Sequence, residues 1–485
     1  MSIQKQPIGE MRSMVSLVDR GAFDEFVYPK DAEKTVFQPT PKPYHNFTHE
    51  IITLPFSGRP DWGQRITFDL PWPWQGDFLQ WVALRLRPLS WMPPEAQQRI
   101  GPEVGDWYIL APDTFWIWAQ SLGTAAIALA EFEVDGVVVE SFSGDWLNVW
   151  NKTAHDSSRG AAFDDALYNQ HSNPGSYLNF AVSDDGYVYC YLPFAFSKYA
   201  NTAFPMISCS GPHTLRIHIT LKKFSEVVRY TNAPRPSCDA SPIGTTFEIR
   251  DYSFPFRKFT TIQNAIASPG FASADIICGI THLDDGDLRK AYIDAPHELM
   301  VEPVVETQFN EPLKYVVNTG ASDTIKIALP LTMANGPIKQ IIFFVRRKAA
   351  IDGFNDWNNY SAVLPNTTDP VWNPVRPLLL RAQLMIGTAV WADGDEAWWR
   401  SQFALANPGG IRASGNFIYG YNFASRPYTF SPSGSANASR VDMRLNLTVA
   451  PPGGTADGEW TVSVFLVGQN WMRFQNGLAN MLFMD

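Results

Sequence analysis

Cysteine is scarce in this 485-residue chain. Its four thiols, Cys190, Cys209, Cys238 and Cys278, are widely spaced and form no CxxC pair. That argues against a disulfide scaffold or a zinc site and suits a reducing compartment. Basic charge is scarce too: 38 Lys and Arg stand against 48 Asp and Glu, a formal charge of −10. No basic run is longer than Arg346-Arg347-Lys348, which reads as a strand end entering solvent. Gripping phosphates requires a basic face, so no nucleic-acid partner is expected. No window approaches 18 uninterrupted apolar residues, and "MSIQKQPIGEMRSM" lacks the apolar core of a secretory signal. The signatures GxSxG, GxxxxGK[ST] and GxGxxG are absent. Helical 3.6-residue spacing is rare.

Aromatic residues and proline are abundant: 14% aromatic, with 17 Trp, 17 Tyr and 32 Phe, and 37 Pro. Short alternating runs separated by Pro, Gly, Asn and Asp point to an all-β protein of sandwich type. The clearest run is Val441, Met443, Leu445, Leu447 and Val449, alternating with Asp442, Arg444, Asn446 and Thr448. Strict period two marks a strand with one buried face. "HTLRIHITLKKF" (213–224) alternates likewise. "AEFEVDGVVVESF" (130–142) predicts a hairpin, with Asp135-Gly136 supplying the positive φ values of a type I′ turn. Residues 1–27 predict an arm in which Met11, Met14, Leu17 and Val18 form a short apolar face. The proline-bearing stretch 229–245 reads as a linker between two β units of similar size. Long excursions are expected at 91–113, 151–186, 349–375 and 391–415.

Catalytic and metal signals are weak. "HELM" (297–300) starts like a zinc-protease helix but has Val301 where the second His belongs, and reads as strand or turn. His45 and His49 share a strand face. "LDDGD" (283–287) lacks EF-hand spacing and reads as a solvated turn. Glu131 and Glu133 share a strand face and pose as a glycosidase pair, although surface alternation explains them more simply. The six N-x-S/T sites, at Asn46, Asn151, Asn359, Asn366, Asn437 and Asn446, read as chance. No cofactor, no metal and no catalytic residue is expected.

Several segments occur in the order of a known family. They include "QGDFLQWVALRL" with its Gly76-Asp77 turn and "SGDWLNVWNKT" with Trp146 and Trp150. "YLPFAFSKYANTAFPMI" follows, with Pro193, Phe194 and Pro205. "SPSGSANASRVDMRLNL" is the most specific, through Pro432, Gly434, Asn437, Ser439 and Arg440. On these residues the chain resembles the double jelly-roll major capsid proteins of the nucleocytoplasmic large DNA viruses, the iridovirus, phycodnavirus and mimivirus group. The resemblance implies two tandem eight-stranded antiparallel jelly rolls with long inserted loops, over 28–230 and 231–485, behind the arm 1–27. It implies a structural, non-enzymatic protein whose homotrimeric capsomers have a pseudo-hexagonal outline and tile an icosahedral shell. Trimer contacts would be of obligate size, on the order of 2,000–5,000 Å². The long loops become candidate towers and intersubunit locks.

Implied partners are neighbouring capsomers, minor capsid or cement proteins, penton proteins and, through the arm, an inner membrane. The implied location is the virion capsid, assembled in the infected cell's cytoplasm. Pro432–Arg440 becomes a structural connection in which Asn437 and Arg440 satisfy buried backbone groups. The competing readings are a lectin or carbohydrate-active enzyme on two β-sandwiches, using tryptophan-lined loops and Glu131/Glu133, and a capsid protein of another double jelly-roll lineage. "SPSGSANASR" and "WLNVWNKT" favour the large DNA viruses over the latter.

Overall fold

The period-two stretches become strands in the structure, a computed structural model. It describes mainly residues 45–89, 115–155, 186–231, 270–310, 325–362, 377–406, 417–449 and 458–482. The arm 1–27, most of the expected linker and Arg440 lie outside the described residues. The first eight long strands are β1 (Phe47–Pro55), β2 (Arg65–Leu70), β3 (Phe78–Pro88), β4 (Ile127–Val134), β5 (Val137–Ser143), β6 (Val188–Leu192), β7 (Leu215–Leu221) and β8 (Phe271–Leu283). They form two sheets with the orders β1-β8-β3-β6 and β2-β7-β4-β5. After the five-residue strand His297–Val301, which joins a separate sheet, come eight more: β9 (Val304–Phe309), β10 (Ile325–Pro330), β11 (Pro337–Arg347), β12 (Leu379–Ile386), β13 (Ala389–Asp395), β14 (Ile418–Asn422), β15 (Met443–Val449) and β16 (Gly458–Gly468).

These eight form sheets of order β9-β16-β11-β14 and β10-β15-β12-β13. Adding eight to each label converts the first pair of sheets into the second. Each pair is a complete antiparallel jelly roll, in which the last strand returns beside the first. Four helices matter below: α1 (Gly144–Thr153), α2 (Gly286–Asp294), α3 (Lys348–Phe354) and α4 (Glu396–Ala406). α1 follows β5 and α4 follows β13, the same place in the two barrels.

The alternation dictates which face is buried. Leu215, Ile217, Ile219 and Leu221 of β7 fill the first core, and Met443, Leu445, Leu447 and Val449 of β15 fill the second. The 130–142 hairpin has the expected turn, with φ 51° at Asp135 and 84° at Gly136.

Three expectations are corrected. The first unit was placed at 28–230, yet β8 is hydrogen-bonded between β1 and β3 along its length. A jelly roll closes only when its eighth strand returns to the first, so β8 belongs with the first barrel. Residues 391–406 are not loop: 391–395 belong to β13 and 396–406 form α4. Here Asp395 accepts a hydrogen bond from the Trp398 N–H at 2.9 Å, an N-cap hidden in what reads as tryptophan-rich loop. "LDDGD" is also a helix start: Asp285 caps α2 by accepting from the N–H groups of Asp287 and Leu288. "HELM" is strand, as expected, and pairs with the C-terminal hairpin strand Asn470–Gln475.

Candidate functional site

Among the described residues, a concentration of buried polar chemistry lies on the seam between the two barrels, with α1 at its centre. Ser143 caps α1 by accepting from the Trp146 N–H at 3.2 Å, which aims the first turn at the second barrel. Trp146 is 1% exposed, its ring 5.3 Å from that of Phe465 on β16. Asp145 accepts two hydrogen bonds from Arg346, the penultimate residue of β11, at 2.9 and 2.8 Å. Burial alone would raise the Asp145 carboxyl; the Arg346 guanidinium outweighs it and holds it below the ordinary carboxylate value. Arg346 also donates to the Trp357 carbonyl at 2.9 Å. Asn148 donates to the Tyr360 hydroxyl at 2.7 Å. Trp150 sits 5.9 Å from Tyr428, with the Lys198 ammonium 5.2 Å from its ring centre.

A second tether runs the other way, from residues 355–361 behind α3. Asn355 adopts the left-handed region (φ 50°) and donates to the carbonyls of Ser225 (2.7 Å) and Val228 (2.8 Å) in the first barrel. Trp357 donates to the Glu226 carbonyl at 2.8 Å, and the Lys222 ammonium lies 3.3 Å from its ring centre. Burial lowers the Lys222 ammonium to about 8. Part of the stretch expected as a candidate tower or intersubunit lock (349–375) therefore clasps the first barrel of its own chain.

A third cluster is charged and enclosed. Glu302 pairs with Lys198 at 3.2 Å and with Lys339, whose ammonium also donates to the Pro427 carbonyl at 2.7 Å. Glu140 accepts from the Ala195 N–H at 2.8 Å. That N–H is presented by the Pro193-Phe194 turn, and Phe194 packs on Phe142 at 4.8 Å and Phe196 at 5.5 Å. Pro205 opens the next short turn, accepting from the Ser208 N–H at 3.0 Å, and places Phe204 5.4 Å from both Phe132 and Phe474.

Gly76-Asp77 pins the end of β8. The 2%-exposed Asp77 accepts from the Leu283 N–H at 2.7 Å and pairs with Arg289 of α2 at 2.9 Å. A Cβ at Gly76 would lie 2.0 Å from Ile280 Cγ2. Gly76→Ala should therefore cost roughly 1–3 kcal/mol by overpacking. At Gly286 a Cβ meets nothing within 4 Å, so Gly286→Ala should stay within about 0.5 kcal/mol. Urea denaturation of both variants checks this; equal midpoints would refute it.

The "SPSGSANASR" connection joins β14 to β15, and its described residues are mostly exposed. The Ser433 hydroxyl accepts from the Arg426 N–H and donates to the Arg426 carbonyl, at 3.0 and 3.1 Å. Gly434 has φ 127°, and a Cβ there would sit 2.9 Å from the Phe423 carbonyl oxygen. Ala436–Asn437 pair with Pro337–Ile338. Asn437 accepts from the N–H and hydroxyl of Ser439 at 3.1 and 2.6 Å, so it satisfies its own exposed turn and not a buried group.

Glu131 and Glu133 do not pose as a glycosidase pair. Glu131 is bonded to Arg65 at 2.7 Å, and Glu133 to His218 at 2.9 Å and Arg216 at 3.4 Å, in a row across one sheet face. Among the described residues no group of three His, Cys, Asp or Glu is placed to hold a metal ion. Sequence reasoning missed Asp145, Arg346, Asn355, Trp357 and the Glu140–Lys198–Glu302–Lys339 cluster. Arg346 and Arg347 do not enter solvent; they are 2% and 6% exposed. The available signals were two adjacent arginines in an apolar strand and the polar run "NDWNNY" behind it.

A family model described as "Major capsid protein N-terminus" matches residues 35–247. The major capsid protein of Pyramimonas orientalis virus is 22% identical over 97% of this chain and 98% of its own. Among solved structures, PBCV-1 VP54 superposes with a TM-score of 0.66 at 14% identity, covering 93% of this chain and 100% of that one. The Faustovirus major capsid protein gives 0.64 at 12% identity, covering 96% of each.

Proposed function

We propose that this chain, a double jelly-roll major capsid protein of the kind found in large DNA viruses, assembles as a homotrimer of pseudo-hexagonal outline that tiles an icosahedral shell. The protein is structural and not an enzyme; its work is shape and stability, and its place is the virion capsid. The supporting observation is the seam: two barrels of identical strand order are held together by buried ion pairs, hydrogen bonds and ring contacts. A rigid pair of similar barrels is the unit that three copies can arrange as six around a threefold axis. The division between barrels falls after β8, between Leu283 and Val304. This reading assigns as partners neighbouring capsomers, minor capsid or cement proteins, penton proteins and, through residues 1–27, an inner membrane, with assembly in the host cytoplasm.

Light scattering of the purified protein at micromolar concentration tests it. The expected mass is three times the 54.4 kDa of the chain, with hexagonal arrays on imaging. A monomer that persists after co-expression with assembly chaperones overturns it.

A further inference from the structure

A cavity of about 130 Å³ lies behind α1, on the first barrel's side of the seam. Its place follows from the topology. β6 is the edge of the sheet β1-β8-β3-β6, so among the described residues no further strand lies beside it. The cavity opens between that edge and the helix: Cys190 and Tyr191 of β6 and Trp81 of β3 face Leu147 and Trp150 of α1. Trp150 is not free to collapse into the space. Its ring is held by Tyr428 of the second barrel at 5.9 Å, and the Lys198 ammonium lies 5.2 Å from its centre.

The wall is a chain of rings. Trp150 meets His155 at 6.4 Å, His155 meets Phe163 at 4.4 Å, Phe163 meets Tyr191 at 5.0 Å and Tyr191 meets Trp81 at 5.8 Å. His155 and Phe163 are stacked, and Phe163 meets Tyr191 edge to face. Rings so arranged offer both faces and edges, the two contacts that a further ring prefers. Tyr191 is 46% exposed, so the chain of rings reaches solvent there.

Charge and volume narrow the ligand. Among the described residues the wall carries one Lys and no Asp, Glu or Arg. The Lys198 side chain is 1% exposed and already paired with Glu302 at 3.2 Å. An ionised ligand would lose its water without gaining a free counter-charge, and a neutral one avoids that cost. A cavity of roughly 150 Å³ takes benzene, so the space here suits one ring.

We infer that this cavity binds a neutral single aromatic ring. The ring would rest against Leu147 and Trp150, so its binding and the docking of α1 at the seam favour each other. The inference is independent of the oligomeric state. Titration of the full chain with fluorobenzene, followed by fluorine NMR, tests it. The expected Kd is on the order of 1 mM. Benzoate and benzylammonium should displace fluorobenzene at least about tenfold more weakly than toluene does, because each carries a charge that the wall cannot match. Fluorobenzene should also raise the urea midpoint of the wild type. Leu147→Phe fills the cavity from α1 and should abolish both binding and the midpoint shift while keeping the wild-type circular dichroism. Phe163→Ala removes one ring at a half-buried position and should weaken binding roughly fivefold. It carries the test should Leu147→Phe fail to fold. Displacement by N-acetylphenylalanine amide separates two sources of the ring. Affinity equal to that of toluene assigns it to a protein side chain, and affinity at least about tenfold weaker assigns it to a free molecule. Absence of saturable fluorobenzene binding, or binding unchanged in both variants, overturns the site. Charged probes that compete as well as toluene overturn the neutral ligand.

Discussion

Arg346→Met should destabilise the protein by about 3–5 kcal/mol, because it leaves the Asp145 carboxylate buried against the second barrel without its counter-charge. The geometry makes this severe. The pair is bidentate, the Arg346 side chain is 3% exposed, and the same guanidinium holds the Trp357 carbonyl of the clasp. Both tethers loosen together. Denaturant unfolding followed by tryptophan fluorescence should show a lower midpoint and a transition broadened or split into two, as the barrels lose their coupling. The double variant Asp145→Leu/Arg346→Met should recover most of the loss, since removing both charges removes the desolvation cost with the attraction. A single variant within 1 kcal/mol of wild type, with one sharp transition, would contradict the role given to the pair.

The contrast between barrels and seam shows what a sequence displays. Strand alternation is local, so β7, β15 and the β4–β5 hairpin could be read residue by residue. The return of β8 to β1 could not. It is a pairing between Ile276 and Leu54, 222 positions apart, and a proline-rich stretch before it looks the same whether it links two domains or loops out of one. α4 was hidden because "EAWWR" reads as loop until Asp395 is seen to cap it. The seam was hidden for an electrostatic reason. A buried arginine and a solvated one have the same letter, and the main partner of Arg346, Asp145, lies 201 positions away. The signature segments were legible as resemblance; Gly76-Asp77, Trp146 and Phe194 sit at a strand end, a helix and a turn, contacts that the resemblance did not specify. Pro432–Ser439 was legible as a tight connection, but its polar atoms serve its own exposed turns.

Glu140→Gln should flatten the pH dependence of stability on the neutral side. Burial raises the Glu140 carboxyl from its ordinary 4.5 to about 7; Lys198 and the Ala195 N–H ease that rise, and Glu302 adds to it. The folded state therefore binds this proton more tightly than the unfolded state. Its stabilising contribution is complete below about pH 4.5 and is lost as pH rises through 7. A shift of that size corresponds to roughly 3 kcal/mol. Asp145 and Glu302 act in the opposite sense, since both are held below the ordinary carboxylate value and lose stability as pH falls. The raw profile thus mixes both slopes, and only the difference between wild type and variant isolates Glu140. At pH 8 Glu140→Gln should be the more stable protein by up to about 3 kcal/mol, and at pH 4 the two should agree within about 0.5 kcal/mol. Glutamine retains an oxygen for the Ala195 N–H, so the difference reports the charge and not the hydrogen bond. Parallel profiles from pH 4 to 8 would mean that Glu140 titrates as an ordinary surface carboxylate. Divergence above pH 6 would mean that the chain carries, beside the Lys198–Glu302–Lys339 cluster at its seam, a carboxyl that favours the locked barrels when protonated and opposes them when ionised.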